Sequence, residues 1–331
     1  MTGPSLAQVA DFWTLREAAR RAARGTGKTR GTTAFLAELE SGVLALQREL
    51  LAGTYAPRPL HRFRIRDPKP RWIAAAHFRD RVVHHALCAV LEPVFAHRAD
   101  PDSYACRVGK GTHAAIRRIQ AHVRRFSHFT KLDILHCFEN FDLNGLHRDL
   151  AGDVRDAALV ELIGVILEAG ADAPGRGLPI GNLTSQHLAN HRLGVLDRAA
   201  RELGVRGYVR YMDDLFLFGD ESGLLRAQAA GLVRVVEDEL CQREKLSARR
   251  AGPVHAGVPA LGFRVWPQCV RLDGARRRRF LRRMRHLDRS VGHGLVDESE
   301  AAVRAQSIVA WASHADTLGL RRSLHDPPRE T

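Results

Sequence analysis

The sequence predicts an α+β chain, helices with antiparallel sheet, on three observations. Apolar residues recur at helical spacing over long stretches, as in Phe35-Leu36-Leu39-Val43-Leu44-Leu46-Leu50. Short runs rich in aromatic and β-branched residues stand between them, at 129–134, 208–211, 215–218, 261–266 and 270–272. Two of these runs, Tyr208-Val209-Arg210-Tyr211 and Leu215-Phe216-Leu217-Phe218, flank Met212-Asp213-Asp214 closely enough to make a hairpin whose turn carries two acids.

Taken in order, residues 8–56 read as helix, with a basic, glycine-broken stretch at 20–30. Within that stretch Gly25-Thr26-Gly27-Lys28-Thr29 lacks the first glycine and the preceding strand of a phosphate loop, so no nucleotide site is assigned there. Tyr55 to Ile73 is extended and proline-punctuated, and Arg62, Arg64 and Arg66 alternate with Phe63 and Ile65 to give a strand one basic face. A helix from Arg79 to Phe95 buries Val82, Val83, Ala86, Leu87, Val90, Leu91 and Val94; His84 and His85 lack companions at metal spacing and read as packing or surface residues. Gly109-Lys110-Gly111 before the next helix makes a weak candidate anion cradle. Phe129 to Ile134 is a strand ending in Asp133, and a helix pair spans about 146–169. The glycine-hinged run 175–186 leads into a helix reaching about 203, with Thr184 and Ser185 as its natural caps. Beyond the acidic hairpin come one helix over Leu224–Leu246, strands at 261–266 and 270–272, and helices over Arg276–Arg289 and Glu298–Leu324. Residues 1–56 are expected as a helical extension, 57–272 as the main domain and 273–331 as a small helical one.

Lysine and arginine total 51 against 37 acids, a net charge of +14, which predicts attraction to a polyanion. Five of the 51 are lysine and the rest arginine. The five cysteines are widely spaced without a C-x-x-C pair, which excludes a disulfide framework or zinc knuckle. No membrane-spanning stretch and no secretory leader is read, so a cytoplasmic location away from membranes is the expectation.

Adjacent carboxylates at a tight turn repel one another, and a lone acid at an apolar strand end is costly unless paired or metal-bound. Asp133, Asp213 and Asp214 together suit two Mg²⁺ ions, with Mn²⁺ as an alternative, in the arrangement that performs nucleotidyl transfer. Lys69 and Arg71 on a mobile hairpin would neutralise a triphosphate, and Phe138 would wall the pocket beside Asp133 and exclude a 2′-hydroxyl. The basic C-terminal helix would grip duplex phosphates regardless of sequence.

In this order, Asp133-Ile134-x-x-Cys137-Phe138, Ile180-Gly181-x-x-x-Ser185-Gln186, Tyr211-Met212-Asp213-Asp214 and Leu261-Gly262-Phe263, after a basic finger-like segment, resemble reverse transcriptases across essentially the whole chain. The run 180–186 and Asp102-Ser103-Tyr104-Ala105-Cys106-Arg107 resemble most closely the enzymes of diversity-generating retroelements. The resemblance implies a right-hand polymerase, with fingers and palm to about 272 and a helical thumb after it. It implies metal binding by Asp133, Asp213, Asp214 and the Ile134 carbonyl, and a sugar gate at Phe138. Triphosphate contacts fall to Arg71 and Lys69, and a primer grip to Leu261–Phe263. Ile180 and Gly181 would lie near the templating pair, where Ile180 in place of glutamine fits error-prone copying opposite adenine. Template RNA, primer, RNA–DNA hybrid and dNTPs are the implied partners, with a small basic accessory helical-bundle protein. Relatives carry a lysine where Arg249-Arg250 stands here, so either Lys245 serves as proton donor or that role is absent. The length leaves no room for a maturase, endonuclease or RNase H domain. Two other roles compete: a domesticated reverse transcriptase in antiviral defence, and a catalytically idle basic RNA-binding protein.

Overall fold

A four-stranded antiparallel sheet, covered on both faces, organises the molecule. The structure, a computed structural model, describes residues 3–25, 29–66 and 70–324. In chain order the helices α1 (Leu6–Val9), α2 (Phe12–Ala23), α3 (Arg30–Ala37) and α4 (Leu39–Leu51) precede a hairpin of β1 (His61–Ile65) and β2 (Arg71–Ala75). Then come α5 (Phe78–Arg98), α6 (Thr112–Arg125), β3 (His128–Asp133), α7 (Leu143–Asp153), α8 (Ala157–Gly170), α9 (Leu183–Arg192) and α10 (Gly194–Glu202). The strands β4 (Gly207–Tyr211) and β5 (Asp214–Gly219) lead to α11 (Ser222–Asp238), β6 (Arg250–Pro253), β7 (Val258–Ala260), β8 (Phe263–Val265) and β9 (Val270–Leu272). Three further helices, α12 (Gly274–Gly292), α13 (Glu298–Ala312) and α14 (Leu318–Arg322), follow.

The central sheet runs β4-β5-β3-β6, all antiparallel. Alternation along its strands sends Leu132, Tyr208, Leu215 and Leu217 into one core with the helices α5 and α7–α11, and Phe129, Val209, Phe216 and Phe218 into a second. That second core is closed by α6 and by the small β7-β8-β9 sheet, into which Phe280 of α12 and Ala312 of α13 also pack. Burial on both faces explains why β5 reads as an unbroken apolar run. Among the described residues no helix is long and apolar enough to cross a membrane.

Several expectations need correcting. The helix expected to reach about 203 breaks at Leu193, where Gly194 weakens the turn, and its N-cap is Asn182; Thr184 and Ser185 are buried inside the first turn. The helix expected over Leu224–Leu246 stops at Asp238, because Glu237, Asp238 and Glu239 crowd negative charge onto the negative end of its dipole. Cys241, at φ 53°, then turns the chain back. The last helix is split at 313–317, where Asp316 pairs with Val270: its amide donates to the Val270 carbonyl (2.7 Å) and its carboxylate accepts from the Val270 amide (2.6 Å). Strands β6 and β7 go unforeseen, since Arg250-Ala251-Gly252-Pro253 has no strand pattern and pairs only as an edge on β3. Lys110 is no anion cradle: its ammonium donates to the Pro101 carbonyl (2.7 Å) and lies over the Tyr104 ring. Lys28 and Lys69 lie outside the described residues.

Candidate active site

The β4–β5 hairpin closes through Met212 and Asp213, with Tyr211 and Asp214 paired across it. Met212 sits at φ 53°, a left-handed conformation that a non-glycine residue keeps only where its surroundings impose it. On the other side of β5, β3 places Asp133 directly opposite Asp214. Such partners share a sheet face with their Cβ atoms about 5 Å apart, so the structure brings the three predicted acids to one sheet end. Like charges that close oppose each other's ionisation. The Asp213 carboxyl is pushed up to about 6, by burial first and then by Asp214 and Asp133, while Lys245 counters.

Two lysines meet this charge. Lys131 Nζ lies 2.6 Å from Asp214 Oδ1, and Lys245 Nζ lies 3.8 Å from Asp133 Oδ2. Lys245 is fixed there because its own amide donates to the Asp133 carbonyl (2.8 Å). Arg249, by contrast, is clamped to Glu244 by two bonds of 2.6 and 2.5 Å. Among the described residues no three His, Cys, Asp or Glu side chains are gathered as an ion cage. The expected convergence therefore holds for the backbone register and not for the side chains, two of which are engaged by lysine.

From Asp133 the chain enters a tight turn. Ile134 is buried and bridged to Glu244 through bonds from the Leu135 amide to the Arg243 carbonyl and from the Lys245 amide to the Asp133 carbonyl, which leaves the Ile134 carbonyl out of the bridge. Half-buried Phe138 packs against the helical core, and its carbonyl accepts from the Leu178 amide (2.7 Å). Two residues on, the Ile180 carbonyl accepts from the Ala74 amide of β2 (2.8 Å). Gly181, at φ 119°, lies so close to β2 that an added Cβ would stand 2.8 Å from Ile73 Cγ2. The 175–181 loop thus joins the turn that follows Asp133 to the basic hairpin, and Arg71 shares the Ile73 face of β2.

Sequence reasoning passes over Arg210 and its partners. Arg210 is 1 % exposed, and its guanidinium donates to both carboxylate oxygens of Asp197 (2.7 and 2.6 Å), to Asn190 Oδ1 (2.7 Å) and to Ser103 Oγ (3.0 Å). The Tyr208 hydroxyl donates to the same Asp197 (2.9 Å). An arginine inside an apolar strand was the available signal, since a buried guanidinium must have acceptors. In the small three-stranded sheet region, Gly262 of the predicted grip lies so close to Arg276 of α12 that no Cβ would fit, and the Arg276 guanidinium lies over the Phe263 ring.

No protein-family model matches the chain. It is similar to group II intron-encoded proteins. The protein LtrA of Lactococcus lactis subsp. cremoris is 27% identical over 180 residues, which cover 50% of this chain and 29% of that one. Nuclear intron maturase 1, mitochondrial, of Arabidopsis thaliana is 33% identical over 86 residues, 26% of this chain and 12% of its own. A solved Cas6-RT-Cas1–Cas2 complex aligns over 70% of this chain and 42% of that one at 20% identity, with a TM-score of 0.42. The chain thus spans less than a third of the length of the curated relatives named. The sequence similarities support the reverse transcriptase superfamily in general and do not single out its diversity-generating members.

Proposed function

We propose that this chain is an RNA-directed DNA polymerase that adds dNTPs to a primer by two-metal nucleotidyl transfer. The observation that carries the reading is the register setting Asp133 against Asp214, one residue from the Asp213 turn. Residues 57–272 act as fingers and palm, 273–331 as thumb, and 1–56 as a helical extension.

The residues fit divalent ions. The strand register brings the backbones of three acids to one sheet end, the Asp213 carboxyl is raised by burial and then by the charge of Asp214 and Asp133, and the counter-cations are two lysines, partly exposed at 16 % and 38 %, that can yield to an ion. Asp133, Asp213, Asp214 and the Ile134 carbonyl would hold Mg²⁺ or Mn²⁺, which would supply a more acidic 3′-hydroxyl and neutralise the departing pyrophosphate. Arg71, with Lys69, meets the triphosphate as a fork, and the Phe138 ring bars a 2′-hydroxyl. Lys245, held beside Asp133, passes a proton to the leaving pyrophosphate; Arg249 is engaged by Glu244 and does not release its proton. The arginines of α12 grip the duplex backbone.

The narrower reading is an error-prone enzyme of a diversity-generating retroelement, copying a template RNA beside a small basic accessory protein. Its support is Ile180-Gly181-Asn182-Leu183-Thr184-Ser185-Gln186, with Ile180 tied to β2. The test is incorporation of labelled dNTPs on a primed homopolymer RNA with Mg²⁺, with and without accessory candidates. Wild type should extend the primer, and Asp213→Asn should not, while binding the same RNA nearly as well. Loss of extension and binding to the same degree would contradict the assigned roles, and a wild type inert under every condition would overturn the reading.

A further inference from the structure

Arg210 lies two residues before Met212 of the acid-bearing turn, on the strand face opposite Asp214, and its guanidinium is fully committed. Besides Asp197, Asn190 Oδ1 and Ser103 Oγ, it reaches the Asn190 carbonyl (3.3 Å) and the Met212 carbonyl (3.4 Å). All five N–H donors of an arginine have acceptors here. The acceptors come from separated pieces of chain: Asn190 from α9, Asp197 from α10, Ser103 from a segment bridged to Arg210 in parallel, and Met212 from the turn itself. Asn190 in turn donates from Nδ2 to the Ala105 carbonyl (3.0 Å), so both ends of its amide are used.

A buried ion pair of this kind is a poor source of stability, because desolvation offsets most of its attraction and a well-packed apolar pair often serves as well. What it supplies is geometry. The Met212 carbonyl belongs to the peptide that delivers Asp213, and Met212 stands in a left-handed conformation. Whatever fixes that carbonyl fixes the direction in which the Asp213 side chain leaves the turn. α9 begins at Leu183, two residues past Gly181, so the same network couples the carboxylate turn to the loop that meets β2.

We propose that Arg210, with Asp197 and Asn190, is the positioning residue that presents Asp213 to divalent cations, an inference that rests on the polymerase reading. It acts through the Met212–Asp213 peptide and touches no substrate. The experiment compares the full-length wild type with Arg210→Lys and with the double variant Arg210→Met/Asp197→Leu, which leaves no unpaired buried charge. Three quantities are measured: thermal unfolding, Mn²⁺ affinity by electron paramagnetic resonance titration, and primer extension split into kcat and the KM for dNTP. The double variant is expected to keep its unfolding temperature within a few degrees and its KM unchanged. Its Mn²⁺ affinity and kcat should each fall about 10- to 100-fold, the usual range when an outer-shell partner of a metal site is lost. Arg210→Lys, which keeps the charge and loses the fork, should fall between, and it decides the matter if the double variant does not fold. Wild-type Mn²⁺ affinity and kcat in a folded variant would overturn the proposal, as would a loss tracked in equal measure by unfolding temperature. A wild type that binds Mn²⁺ yet extends no primer would refute the polymerase reading alone, and the Mn²⁺ series would still decide the role of Arg210.

Discussion

Phe138 follows the Asp133 strand end by five residues and is held by its carbonyl's bond to the Leu178 amide, while its ring is only half-buried. If the ring is the barrier to a 2′-hydroxyl, Phe138→Ala should raise the use of ribonucleotides relative to deoxynucleotides by tenfold or more, about 1.4 kcal/mol of discrimination. Competition assays with paired rNTP and dNTP would read it, and unchanged selectivity would remove Phe138 from that role. Ile180 presents a different case. Glutamine there would add an amide able to order a nascent base pair, so Ile180→Gln should lower errors opposite template adenine, and sequencing of the products would show an unaltered spectrum if the idea is wrong. The acids were legible from sequence because paired carboxylates in an apolar strand are anomalous unless balanced. Lys131 and Lys245 were harder to assign: which acid a lysine meets depends on strand register and on the return of the 239–245 loop, and neither is written in local pattern.

Element boundaries show the same division. Helical spacing at 35–50 and 82–94 made α4 and α5 readable because that period is local, and the β4–β5 hairpin was readable because its alternation and its turn coincide. The break between α13 and α14 was not, because it is imposed by pairing of Asp316 with Val270, 46 residues away in sequence. Edge strand β6 was invisible for a related reason, being defined by its partner β3 and not by its own residues. Some long-range ties work through ordinary caps. Asp156 caps α8, accepting from the Leu159 amide (2.9 Å) with one oxygen and from the Leu6 amide (3.1 Å) of α1 with the other. Asp156→Ala should cost about 1–2 kcal/mol, more than the same change at Asp11, whose carboxylate accepts from the Thr14 amide alone among the described contacts. Urea midpoints of the two variants measure the difference, and equal losses would mean that the α1 bond contributes nothing.

For the molecule as a whole, charge and buried imidazoles set the response to solution conditions. A net charge of +14 predicts that affinity for a polyanion, RNA in the proposed reading, falls steeply as salt rises. Stability should respond to pH through histidine. His84, 4 % exposed on α5, has its pKa lowered from 6.5 to about 4, by burial first and then by His85 and Arg81. His122, buried on α6 and stacked on Phe218, is likewise lowered to about 4, again chiefly by burial. Because the folded pKa lies below the unfolded one, the unfolded chain binds the proton that the native state refuses. Above about pH 6.5 neither state is charged at these sites and no penalty exists. As pH falls from there towards 4, unfolding is favoured, with a limiting slope of about 1.4 kcal/mol per pH unit for His84. Denaturant midpoints measured at pH 7, 6 and 5 should therefore decline, and more steeply below 6. His84→Met retains a long side chain of similar reach without the proton, so its stability should decline less over the same interval, even if it starts lower at pH 7. A parallel decline in the two proteins would show that the acid sensitivity arises elsewhere, in the carboxylates that are paired in the native state.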